Sequence, residues 1–221
     1  MLSREVKERL REYETPFYLY DMELLRRTVE CALREADRYG YRLHYAMKAN
    51  NDRRIMEFIA SCGMGADCVS GNEVRRAIET GFAPKDIVYA GVGKKDSEII
   101  YALRQGIFAF NCESKNELVV IDALARELGV VADVALRINP DIDPHTHSYI
   151  TTGLSENKFG ISPREITDVV GMLGDLRNID IMGLHFHIGS QITDLGSSRS
   201  SVGRSMLPTG GLPRRGSASP T

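Results

Sequence analysis

GADCVSGNEVRRAIETGFAPKDIVYAG, residues 65 to 91, contains one complete strand, helix and strand repeat. GADCVS reads as a short strand. It runs into Ser70-Gly71-Asn72-Glu73, a capping-box pattern that opens a helix, and that helix stops at Gly81. DIVYAG at 86 to 91 supplies the next strand.

The same alternation extends on both sides. A polar, helical lead spans Arg4 to Tyr13, and FYLYD at 17 to 21 has β-type character. A helix then starts at Asp21, with Leu24, Leu25, Val29, Ala32, Leu33 and Ala36 on its apolar face. LHYAMK at 43 to 48 precedes a helix built on Ile55, Phe58, Ile59 and Cys62 and stopped by Gly63. Downstream come a helix to Gly106, the strand IFAFNCE at 107 to 113, and a second capping box from Ser114 to Glu117 whose helix closes at Leu128-Gly129. VADVALRIN at 131 to 139 is followed by a long polar loop, by Ser162-Pro163-Arg164-Glu165 with proline at the first helical position, and by IMGLHFHIG at 181 to 189. Strands separated by helices of this length mean βαβ units and a parallel sheet. Without a dinucleotide fingerprint, the pattern favours a (β/α)8 TIM-type barrel over a doubly wound sheet. A complete barrel takes about 250 residues, so an incomplete one, with about six of its eight strands, is expected.

Composition narrows the function classes. The chain has 221 residues, 43% hydrophobic and 26% charged, which suits a globular fold. No apolar run reaches the roughly 20 residues of a membrane span, and the start has no signal-peptide core, so a cytoplasmic location is expected. A net charge of -2 with interspersed signs argues against nucleic acid or an anionic membrane as partner. Cys31, Cys62, Cys68 and Cys112 lack metal-ligand spacing and read as reduced, structural thiols, with no metal site expected. Residues 196 to 221 differ in kind: seven serines, five glycines, three prolines and four arginines without an acid carry +4. The other 195 residues set 24 basic against 30 acidic side chains, or -6. We therefore expect a barrel domain over 1 to 195 and a disordered tail over 196 to 221. The change falls inside a βα unit, which favours a non-native tail from a frameshift or mis-joined gene end over a natural one.

Side chains alternate faces along a strand, so facing can be argued from parity. In LHYAMK, Lys48 shares a face with His44 and Ala46, which points it into the barrel at the C-terminal end of the strand, where active sites of this fold lie. An inward ammonium is costly unless paired or neutralised. Asp67 faces away from Ala66 and Cys68; Arg137 and Asn139 face away from Leu136 and Ile138; His185 and His187 share a face with Gly183 and Gly189. Polar groups thus converge at one mouth. Lys48 there suits Schiff-base chemistry once neutral, and equally a structural ion pair with Asp67. The glycines bracketing His187 leave room for a flat ligand, whereas His185 reads as a packed core residue. Ser190 is placed to offer its hydroxyl and backbone N–H to an anion.

Six strings in order, TPFYLYD, YAMKAN, GADCVSGNE, LRINPDIDPHTH, KFGIS and GLHFHIGSQITD, resemble the fold-type III pyridoxal-phosphate (PLP) decarboxylases. HIGSQI draws the likeness closest to the diaminopimelate decarboxylase branch, and the resemblance runs from Tyr13 to Leu195. It implies that Lys48 carries the cofactor, that His187 stacks on its ring, that Ser190 bonds its phosphate, and that Asp67 and Arg137 line the pocket. Glu73 matches a family acid as well, although its place in the capping box is sufficient reason for it. The implied reaction converts meso-diaminopimelate to L-lysine and carbon dioxide in lysine biosynthesis. The arginine, ornithine and carboxynorspermidine decarboxylases, a PLP-binding barrel without turnover, and a purely structural fragment remain as alternatives.

The resemblance also implies what this chain does not contain: a Gly-rich strand end for the phosphate, an acidic strand for the pyridine nitrogen, and a β-rich C-terminal domain that completes a homodimeric site. It further assigns FYLYD to the side of that second domain. From this an unstable or aggregated chain, inactive alone and not dimeric, is expected.

Overall fold

The computed structural model describes residues 4–139 and 159–187. Ser190, most of the polar loop after β5 and the stretch from 196 to 221 lie outside the described residues, as does the boundary expected at 195. The chain divides into two compact units, Met1–Ala109 and Phe110–Thr221.

In the first unit, α1 (Arg4–Leu10) buries nothing, and α2 (Met22–Asp37) buries Val29 and Ala36. Asp21 caps α2 by accepting the Leu24 N–H at 2.9 Å. Then β1 (His44–Ala46), α3 (Arg53–Ser61), β2 (Gly65–Cys68), α4 (Gly71–Glu79), β3 (Ile87–Tyr89) and α5 (Asp96–Gln105) alternate. β1 pairs with β2 and β2 with β3, both parallel. Helices cover the sheet through Ile55, Met56, Ile59, Val74, Ala77, Ile99 and Ala102, all buried.

FYLYD is not a strand here. Phe17, Tyr18, Leu19 and Tyr20 have no regular secondary structure, are exposed, Tyr18 at 90%, and belong to no sheet. β-type composition describes a fit to a pleated, half-buried surface. Among the described residues, no neighbouring strand offers that surface.

The division falls after the first residue of β4 (Ala109–Cys112), and the second unit continues with α6 (Lys115–Leu128), β5 (Ala132–Arg137), α7 (Ile166–Met172) and β6 (Ile179–His185). β4 pairs with β5 and β5 with β6, again parallel. Its core holds Phe110, Cys112, Leu118, Ile121, Ala125, Val134, Leu136 and Val169. Parallel strands that follow chain order, with a helix after each of β1 to β5, are the α/β arrangement of an incomplete (β/α)8 barrel.

Both capping boxes form with one change. Ser70 and Ser114 accept from the N–H groups of Glu73 and Glu117, each at 3.2 Å. The reciprocal bond slips back by one residue, so that Glu73 takes the N–H of Val69 and Glu117 that of Glu113, each at 2.7 Å. The carboxylates thereby hold the last residue of the strand exit, coupling each helix start to the strand that feeds it.

Candidate functional site

At the exit of β1 the strand ends at Ala46, and Met47–Ala49 form a 3-10 turn. Met47 is buried, its Sδ 3.4 Å from Cys68 Sγ. Lys48 is exposed. The expectation that Lys48 sits on the strand, shut away from solvent, is corrected by this geometry: the period of two stops where the helical turn begins, so parity no longer fixes its direction. Nor does Lys48 form an ion pair among the described residues, which removes the structural pairing with Asp67.

Two residues unnoticed in the sequence shape this turn. The Tyr45 hydroxyl donates to the Asn50 carbonyl at 2.9 Å, closing the backbone around Lys48. Asn50 in turn donates to the Tyr20 hydroxyl at 3.0 Å and accepts from the Asp52 N–H at 2.9 Å. Burial pushes the Tyr45 hydroxyl above its ordinary pKa, with a further push from Tyr20. A tyrosine and an asparagine flanking a lysine by three and two residues are the signal, legible only once the turn is known.

Asp67 pairs in register with Ala46 and sits half-buried between Ala66 and Cys68, both fully buried, as its parity requires. Burial, then the charges of Glu73 and Asp67, push the Cys68 thiol far above its usual range. It is a packing group, not a nucleophile.

In the second unit, Arg137 ends β5. Val134, Leu136 and Ile138 are buried on the other face of the strand, while Arg137 and Asn139 are half-buried. Arg137 Nη1 donates to Glu113 Oε1 at 2.8 Å. Arg137 is also the register partner of His185 across β5 and β6. Along β6 and beyond it, Ile181, Gly183, His185 and His187 are half-buried, whereas Met182, Leu184 and Phe186 are exposed. A side chain at Gly183 would meet nothing within 4 Å, so the face carrying both histidines has open space beside it. Glu113, Asn111 and Asp122 are buried polar residues that parity did not reveal. Asp122 accepts the backbone N–H of Asn178 at 2.6 Å and its side-chain amide at 3.3 Å, pinning the residue before β6 to α6.

Taken separately, the first unit offers a primary amine on a braced turn, which suits an aldehyde, and the second offers a fixed guanidinium, which suits an anionic group, with imidazoles beside open space. Residues 24–207 match the family model "Pyridoxal-dependent decarboxylase, pyridoxal binding domain". The chain belongs to the pyridoxal-dependent decarboxylase family, and its PLP-binding barrel domain is the part represented. Diaminopimelate decarboxylase from Bacteroides thetaiotaomicron is 50% identical over 190 residues, covering 86% of this chain and 49% of the relative. The crystal structure of diaminopimelate decarboxylase from Helicobacter pylori with L-lysine superposes with a TM-score of 0.77 at 38% identity in one form, covering 90% of this chain and 52% of that one. An arginine decarboxylase from Paramecium bursaria Chlorella virus follows at 27% identity and a TM-score of 0.64, covering 80% and 45%. The chain spans about half the length of the curated relatives it matches.

Proposed function

We propose that this chain supplies the cofactor-holding half of a cytoplasmic, homodimeric enzyme that decarboxylates meso-diaminopimelate to L-lysine and carbon dioxide. The observation that carries the reading is the 50% identity to a diaminopimelate decarboxylase over 190 residues. Lower identity to the viral arginine decarboxylase, 27%, favours diaminopimelate over arginine. The L-lysine in the Helicobacter pylori structure is the product this reaction would yield. No helix among the described residues is long and apolar enough to cross a membrane.

When bound, PLP supplies an electron sink for the pair left as carbon dioxide departs. The Lys48 amine would hold the cofactor's aldehyde carbon, and the Tyr45 to Asn50 bond keeps that amine on a turn of defined shape. His187 would lie against the ring and Ser190 would donate to the phosphate. Asp67 and Arg137 would set the charge of the pocket. Lys48 and His187 are thus the catalytic candidates.

The test is a titration of the chain with PLP, followed by absorbance. A visible Schiff-base band that Lys48→Ala abolishes is expected, with carbon dioxide released from meso-diaminopimelate in preference to arginine or ornithine by the protein extended to its relatives' length. No band, or one indifferent to Lys48→Ala, refutes the assignment of the lysine. Preference for arginine or ornithine refutes the substrate.

A further inference from the structure

Arg137 is held from three directions by residues with no role assigned above. Its Nη1 donates to Glu113 Oε1 at 2.8 Å, and the two side chains are only 11% and 4% exposed. The guanidinium carbon lies 5.7 Å from the centre of the Phe159 ring, within cation–π range. Gly160 closes on the strand itself: a Cβ there would come within 2.9 Å of the Arg137 carbonyl oxygen and 3.2 Å of its Cγ. Ile161 then donates its N–H to the Arg137 carbonyl at 2.7 Å and accepts from the Asn139 N–H at 2.9 Å. Residues 159 to 161 of the KFGIS string are therefore fastened along the end of β5. The register pairing Cys112 with Leu136 brings Glu113 beside Arg137 one step later.

The arrangement does more than neutralise a buried charge. Neutralisation alone is best served by a bidentate fork, in which two guanidinium nitrogens meet both carboxylate oxygens. Here one nitrogen bonds the carboxylate and the centre of an aromatic ring lies 5.7 Å from the guanidinium carbon. The backbone that carries the side chain is clamped as well. A planar guanidinium so held has a defined direction for its remaining N–H edge.

We infer that Glu113, Phe159 and Gly160 are positioning residues that hold the Arg137 guanidinium with its remaining N–H edge toward the anionic cofactor. This rests on the PLP-binding reading proposed above. The three act through Arg137 and touch no reacting atom.

The dissociation constant of PLP, read from the absorbance titration of the full chain, tests it. Glu113→Gln should weaken PLP binding about tenfold, the loss of one charge-assisted bond. In an Arg137→Gln background, Glu113→Gln should have no further effect, because a residue acting through a partner is silent once the partner is gone. Phe159→Leu should weaken binding and Phe159→Tyr, which keeps the ring, should restore it. Equal effects of Glu113→Gln in both backgrounds, or unchanged or tighter binding, overturn the inference. Should Glu113→Gln fail to fold by circular dichroism, the Phe159 pair decides, and equal constants for leucine and tyrosine overturn it. A parent chain without a Lys48-dependent band refutes the PLP reading and this inference together; a band with unaltered constants refutes the inference alone.

Discussion

Asp133 and Asp180 are register partners across β5 and β6, two like charges directly opposite at the entry to both strands. Loss of hydration, then the Asp180 charge, raises the Asp133 pKa above its ordinary value. The folded chain therefore binds this proton more tightly than the unfolded chain does. The penalty is present at neutral pH and is relieved as pH falls through the raised value. Asp133→Asn should stabilise the fold at pH 7 by on the order of a few tenths of a kcal/mol, since solvent screens much of the repulsion. Denaturant titrations at pH 7 and at mildly acid pH should show the gain shrink with acid. Parity separated the polar positions from their neighbours: Asp67 and Arg137 lie on the less buried faces of β2 and β5, and His185 and His187 on the more buried face of β6. It did not fix the direction of Lys48, because that residue lies in the 3-10 turn directly after the strand, where alternation ends.

At the scale of elements, α4 and α5 are tied by one carboxylate. Glu98 accepts from the N–H of Gly71 at 3.1 Å, from that of Lys95 at 3.1 Å, and from the Tyr89 hydroxyl at 3.3 Å. Burial pushes the Glu98 pKa up, but the bonds from Lys95, Gly71 and Tyr89 outweigh it and hold the carboxyl below its ordinary value. Its contribution is thus present above the ordinary carboxylate range and lost as pH falls through the lowered value. Glu98→Ala should cost about 1 to 3 kcal/mol at pH 7, leaving donors of two helices and a strand unsatisfied. The cost should diminish in acid, as followed by thermal unfolding across pH. Ser114→Ala tests a simpler cap and should cost about 1 kcal/mol by the same measurement. The serine caps were legible because a cap is a contact between residues three apart. The reach of Glu73 and Glu117 past the cap depends on how the strand enters the helix, and only the fold reveals that.

For the whole molecule, the cysteines report packing. Cys31 is exposed on α2, whereas Cys68 and Cys112 are buried at the ends of β2 and β4. A thiol reagent with mass detection should label Cys31 at once and the two strand cysteines only on denaturation; early labelling of Cys68 would contradict the packing of Met47 against it. Sequence alone determined the strand and helix alternation, the serine caps, the glycine stops and the family strings, all of which rest on residues close along the chain. The tertiary structure decided the rest. It left FYLYD without a sheet, put Lys48 on a turn, joined Arg137 to Glu113 across 24 residues, and joined Asp122 to Asn178 across 56. Local pattern sets which face a side chain takes, but strand register and helix packing choose its partner, and those are properties of distant segments brought together.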